Sequence, residues 1–204
     1  ISSSTTTTIG AERTIDSYAL ANADQFNYIS SGDNLAIGQS FRSAGDKLTR
    51  VTFYGRAVGS PTGNTTAQLY GHTGTFGTTG LPSGSVLATS DVIDSTTISA
   101  VEGPVTFTFS GDQQYVMTSG SVYVIAWSYT GGSTSNHIGV DVDISSPTAA
   151  GRAYYLKGST WFTTTQDPIG TSGATDDMSF ILSGSAVTIT TTTIRPQLIA
   201  SYSF

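Results

Sequence analysis

The stretch VYVIAWSY, residues 122–129, decides the class of this fold. Apolar side chains, many of them β-branched or aromatic, fall on both of its alternating faces. A strand of that kind belongs at the centre of a sheet, with the core on one side and a loop or a partner on the other. Just upstream, Val105, Phe107 and Phe109 alternate with Thr106 and Thr108, the period-two signature of a half-buried strand. Val51 and Phe53 alternate in the same way with Thr52 and Tyr54. Further strands are expected over 37–41, 66–70, 86–89, 138–142, 153–156 and 178–182. Between them lie turn clusters such as Ser60-Pro61-Thr62-Gly63-Asn64, Pro82-Ser83-Gly84 and Thr130-Gly131-Gly132-Ser133. No window carries capped helical periodicity, and no repeat of fixed period is visible. Many short strands between polar turns predict an all-β fold: a single β-sandwich, jelly-roll-like, with strand-forming terminal extensions.

Composition supports this class. Only 11% of the residues are charged, against about 25% in a typical soluble domain. Ser and Thr together make up nearly a third of the chain, so the surface is polar through hydroxyls more than through ions. A net charge of −6 with only eight Lys and Arg argues against nucleic acid as a partner, because phosphate binding needs clustered cations. No apolar run approaches the length of a membrane-spanning helix, so no membrane insertion is expected. The absence of Cys excludes a disulfide framework and thiolate metal sites. The chain begins at Ile1 instead of Met, which fits a leader removed on export and equally a sequence cut at a cloning boundary.

The two ends differ from the middle. Residues 1–8 read ISSSTTTT, and residues 185–204 form a second Thr-rich segment in which Leu198, Ala200, Tyr202 and Phe204 alternate with Ile199, Ser201 and Ser203. The sandwich is therefore expected over residues 31–184, after an N-terminal extension over 1–30 and before a C-terminal strand extension over 185–204. A polar tail adds little to its own core, so its strand character points to pairing with a neighbouring copy. On that reading the donor is the N-terminal stretch from Ile1 to Ile9, or the C-terminal one carrying Leu198, Ala200, Tyr202 and Phe204. The alternative is that both tails complete their own sheet.

The block from Ile37 to Gly184 contains Ile37-Gly38-Gln39-Ser40-Phe41, the segment LTRVTFY over 48–54, and Gly59-Ser60-Pro61-Thr62-Gly63-Asn64. These are followed by Ala67-Gln68-Leu69-Tyr70, His72-Thr73-Gly74-Thr75-Phe76-Gly77, Leu87-Ala88-Thr89-Ser90-Asp91 and Phe107-Thr108-Phe109-Ser110-Gly111. In this combination the chain resembles the choice-of-anchor R domain, over roughly three quarters of its length, and also phage structural β-sandwich proteins. The resemblance implies a secreted or surface-exposed β-sandwich, at a cell or a virion surface, and no catalytic residues. A Thr-rich strand ending at Phe204 stands where an anchor would follow, which favours attachment by assembly.

The chemistry-bearing residues point the same way. His72 and His137 both fall in Gly/Thr/Ser-rich stretches read as turns, with neither a G-x-S-x-G elbow nor an H-E-x-x-H helix around them. The only glutamates are Glu12 and Glu102, and nothing sets up the two-carboxylate arrangement of a glycosidase. No enzyme is expected. Calcium is the one cofactor considered, with Asp141, Asp143, Asp176 and Asp177 as ligands; the plainer reading is loop-edge acids that cap turns. A carbohydrate-binding or adhesion module is the alternative function. Its sugar-stacking candidates are Trp161, in a stretch read as a loop, with Tyr154 and Tyr155 just upstream. Aromatics in a sandwich more often pack in the core, as Trp127 is expected to do. Asn64-Thr65-Thr66 is an N-x-[ST] glycosylation sequon in an expected turn. The function that unites these readings is a structural subunit of an extracellular assembly, a pilus-like filament or virion appendage. It would bind other copies of itself by β-strand addition, with surface glycans as a further partner.

Overall fold

A computed structural model describes residues 2–145, 151–163 and 176–194, and nearly all of its elements are strands. In chain order they are β1 (Ser2–Tyr18), β2 (Gln25–Ile29), β3 (Ala36–Arg42), β4 (Asp46–Val58), β5 (Asn64–His72), β6 (Pro82–Thr89) and β7 (Ile93–Asp94). There follow β8 (Gly103–Thr108), β9 (Val122–Tyr129), β10 (His137–Asp143), β11 (Ala153–Lys157), β12 (Thr160–Thr163), β13 (Asp177–Met178) and β14 (Phe180–Ile194). They form two antiparallel sheets. In the first, β1, β14, β4, β10 and β13 follow one another, with β8 on β4 and β2 on β10. In the second the order is β12-β11-β3-β9-β5-β6, with β7 also on β5. The chain is an all-β sandwich.

The core lies where the period-two pattern places it. Tyr123, Ile125, Trp127 and Tyr129 of β9 meet Phe53, Phe107, Ile138, Val140 and Leu182 of the opposite sheet. Trp127 is the centre of this packing: its ring stacks on Phe53 at 5.7 Å and meets the edge of Phe107 at 5.5 Å. Its indole N–H donates to Thr65 Oγ1 at 2.8 Å, so its one polar atom is satisfied in the core. Gly55 makes room for the ring, since a Cβ there would stand 2.3 Å from the Gly139 carbonyl oxygen and 3.1 Å from Trp127.

The other face of β9 is buried too. Val124 and Ala126 join Ala36, Tyr70 and Tyr154 in a second cluster, flanked by Leu81, Leu156 and Trp161. The cover is a loop: residues 73–81 fold back so that Thr78 accepts from the Arg152 guanidinium and Phe76 lies under Arg42. Trp161 sits on β12, not in a loop. Gly158, at φ +60°, and Ser159 close a tight hairpin that pairs Leu156 with Trp161.

β4 organises the first sheet. Its first half pairs with β14 from Asp46 to Phe53, and its second half with β10 from Gly55 to Val58. Thus β14 and β10 lie end to end along one side of β4, β1 flanks β14, and β2 flanks β10. Residues 12–18 and 25–29 are therefore strands of the sandwich itself, and the extension expected over 1–30 shrinks to the part of β1 that outruns it. The C-terminal extension expected from residue 185 is continuous with the core strand that begins at Phe180.

Candidate functional site

β1 and β14 pair along their whole length, and only part of that pairing rests on the sandwich. β4 leaves β14 at the Ala186–Asp46 pair. Beyond it the register from Ile9–Val187 to Ser2–Ile194 continues for eight pairs with no third strand among the described residues. At about 3.3 Å per residue the ribbon extends for about 25 Å. Residues 3–9 are exposed along this length, and so are Thr188, Ile189, Thr190, Thr191 and Thr192. One face presents Ser4, Thr6 and Thr8 beside Thr188, Thr190 and Thr192. The other has a hydroxyl end and an apolar corner of Ile9, Val187 and Ile189, with Ile9 48% and Ile189 65% exposed.

The two halves of the β1 edge differ in chemistry. Where β1 lies on the sandwich it carries Glu12, Arg13 and Asp16, and two register shifts break the ladder. Arg13 clamps the fully buried Asp46 through Nε and Nη2 at 2.9 and 3.1 Å, and Glu12 meets Arg50 at 2.7 Å. Charges and bulges are the devices that keep a sheet edge from pairing with another chain. Residues 2–9 have none: no charge, no Pro, no Gly and no register shift. Among the described residues both edges of the protruding ribbon are open, and its Thr, Ile and Val residues favour strand.

This placement changes the reading of the termini. The N-terminal strand, with Ile9 opposite Val187, lies in its own sheet and not as a lone arm. Ile1, Leu198, Ala200, Tyr202 and Phe204 lie outside the described residues.

The acids named as calcium ligands do not form one ligand set. Asp143 faces Asp177 across the β10–β13 pair and accepts from the Tyr18 hydroxyl at 2.5 Å. Asp177 accepts from Gln39 Nε2 at 2.7 Å, and Asp176 from the Tyr155 hydroxyl at 3.0 Å. Burial pushes the Asp176 carboxyl up to about 6. Asp141 stands apart, under the influence of Glu102 and Arg56, and burial pushes it up to about 7. Among the described residues no three His, Cys, Asp or Glu side chains are arranged to hold a metal ion. Tyrosine and glutamine donors bond Asp143, Asp176 and Asp177, while Asp176 Oδ1 and Asp141 Oδ2 have no hydrogen-bond partner.

The sugar-stacking trio does not converge either. Tyr154 and Tyr155 are successive strand residues and point to opposite faces: Tyr155 into the core between the sheets, Tyr154 into the outer cluster. Both are buried and both hydroxyls are engaged, Tyr154 with His72 Nε2 at 2.9 Å and Tyr155 with Asp176. Trp161 packs edge-on against Tyr70 at 5.2 Å. Asn64 is exposed, as the first residue of β5 and paired with Asp94. The two histidines end strands instead of sitting in turns, His72 closing β5 and His137 opening β10.

A further group was not foreseen. On the outer face of the first sheet, Phe26 and Tyr28 of β2, Arg56 of β4, and His137 and Asp141 of β10 lie side by side. Alternation in HIGVDVD carries the signal, since Ile138 and Val140 go to the core and leave His137, Gly139 and Asp141 on the other face. No family model, no curated protein and no solved structure matches this chain.

Proposed function

We propose that this chain is a structural subunit of an extracellular assembly, joined to further copies by β-strand addition along the β1–β14 ribbon. The observation that supports this reading is the contrast along one edge: charged and bulged on the sandwich, unguarded over residues 2–9. A two-stranded ribbon without a core beneath it is marginally stable in water. A third strand from a neighbour would supply the missing backbone bonds, and Ile9, Val187 and Ile189 would gain an apolar partner. A contact of this kind between unlike edges does not close on itself and so propagates as a fibre. A surface rich in hydroxyls agrees with such a role.

Negative-stain electron microscopy of the full chain beside the double variant Thr5→Lys, Thr7→Lys tests the proposal. Filaments or discrete oligomers from the parent chain, lost when two charges guard the edge, are the expected result. Single particles in both samples at high concentration would reject it.

A further inference from the structure

The outer face of the second sheet is closed by a strap, and the strap rests on a histidine. Residues 73–81 leave β5 and return to β6, and the strap is tied at its base where the Thr73 N–H donates to the Leu81 carbonyl at 2.9 Å. Thr78 and Thr79 both donate from their backbone N–H groups to the Thr75 carbonyl, so its tip is held from within. The sequence TGTFGTTGL carries no charge. Leu81 joins it to the apolar cluster of Tyr70, Val124, Ala126 and Tyr154 beneath.

Gly80 is buried and lies directly against the His72 ring. A Cβ at 80 would stand 1.8 Å from His72 Cε1 and 2.1 Å from Nε2, so only glycine fits while the ring holds its place. Gly74 packs on Gly80 in turn: a Cβ there would come within 2.9 Å of Gly80 Cα. On the sheet, His72 Nε2 is 2.9 Å from the hydroxyl of the fully buried Tyr154. The imidazole therefore touches both a buried tyrosine and the backbone of the strap.

Two further ties hold the strap, and both are cationic. Arg152 donates from Nη1 to the Thr78 carbonyl, and Arg42 lies 5.2 Å from the centre of the Phe76 ring. Among the described residues, the titratable and charged groups on this face are Tyr154 and Arg152 at β11, Tyr70 on β5 and Arg42 on β3, and none is a carboxylate. Burial lowers the His72 pKa from its ordinary value, so the ring is neutral at pH 7. A proton taken up here makes a cation shielded from water, with no carboxylate to meet it. Lifting the strap returns the ring to water, so protonation and lifting favour each other.

We infer that the strap of residues 73–81 is an acid-operated cover, which closes the outer face at neutral pH and lifts when His72 is protonated, uncovering Tyr70 and Tyr154.

Amide exchange of the full chain at pH 7 and pH 5 tests this, read as protection factors so that the pH dependence of the chemical step divides out. Protection at Thr73, Thr78 and Thr79 should fall about threefold or more at pH 5, while that of Ile125 and Trp127 in β9 does not fall. His72→Gln keeps a hydrogen-bonding group without a titrating ring and should abolish the change. If that variant does not fold, the NMR titration of the His72 ring in the parent carries the test: its midpoint should coincide with the loss of strap protection. Strap protection equal at the two pH values, a fall that persists in folded His72→Gln, or a ring that titrates while the strap stays closed would each overturn the inference. None of these outcomes depends on whether the ribbon assembles.

Discussion

At the scale of single residues, the buried carboxyls make a pH prediction. Asp141 is raised to about 7 by burial first and by Glu102 second, with Arg56 opposing; Asp176 is raised to about 6, again by burial first. In the unfolded chain both return to about 4. Between about pH 4 and 7 these two carboxyls bind more protons in the folded chain than in the unfolded one, so their contribution to stability falls as pH rises, and His72, lowered by burial, opposes them in the upper part of that window. Asp24 and Asp94 are shifted the opposite way by hydrogen bonds to Ser145 and Thr96, and they act only below the ordinary carboxylate range. The melting temperature should rise as pH is lowered from 8 to 5. Asp141→Asn, which has no charge to bury, should flatten that slope and raise stability most at pH 8. A parent curve that is flat or rises between pH 5 and 8 would contradict the assignment. These residues also mark the limit of reading by type. Asp141 is visible as an acid in DVD, but what surrounds it and what Asp143 meets, Asp177 and Tyr18, are set by strands far away in sequence.

At the scale of elements, strands whose apolar residues recur at period two were legible, and those that owe their place to partners were not. Residues 122–129 and 105–109 carry their own signal, because β-branched and aromatic side chains alternate or fill both faces. β2, reading QFNYI, alternates over only four residues and turns its aromatics Phe26 and Tyr28 to the outer face, so it is placed by lying on β10. β12 reads as a loop until Gly158 is seen to close a two-residue hairpin. The same logic divides β1, which is one strand by geometry and two by energetics. Residues 12–18 are tied to the sandwich through the Arg13–Asp46 pair, Ile15 and Tyr18. Among the described residues, 2–9 have one partner strand and no core beneath them. Hydrogen exchange on a dilute sample should therefore show amides of 2–9 and 188–194 exchanging with little protection. Those of β4 and of β14 from Phe180 to Ala186 should open only with global unfolding. On concentration or assembly, protection should spread into 2–9. Uniform slow exchange along β1 in a monomer would mean that the ribbon has a stabilising contact of its own.

At the scale of the whole molecule, the fold separates what holds it together from what it offers to others. The open ribbon can be altered without touching the Trp127 core. Two deletions make the separation measurable. Residues 3–9 are all exposed, so removing residues 2–9 should shift the melting temperature by no more than a few degrees while any assembly is lost. Removing residues 2–18 is a different operation. It strips Asp46 of its guanidinium partner, Asp143 of the Tyr18 hydroxyl, and β14 of its neighbour over Phe180 to Ser185. Loss of the buried Tyr18 side chain alone is worth about 3 kcal/mol or more, a large share of the stability of a typical domain. The longer deletion should therefore yield a chain that is poorly folded or insoluble. Its open β14 edge should then be rescued by adding residues 2–18 back as a peptide, because the strand and its acceptor need not belong to one chain. Rescue would show that β1 can be supplied by a neighbour, making strand exchange the means of assembly. A soluble, folded product without the peptide would instead place β1 outside the cooperative unit and leave edge-to-edge pairing of intact ribbons as the route.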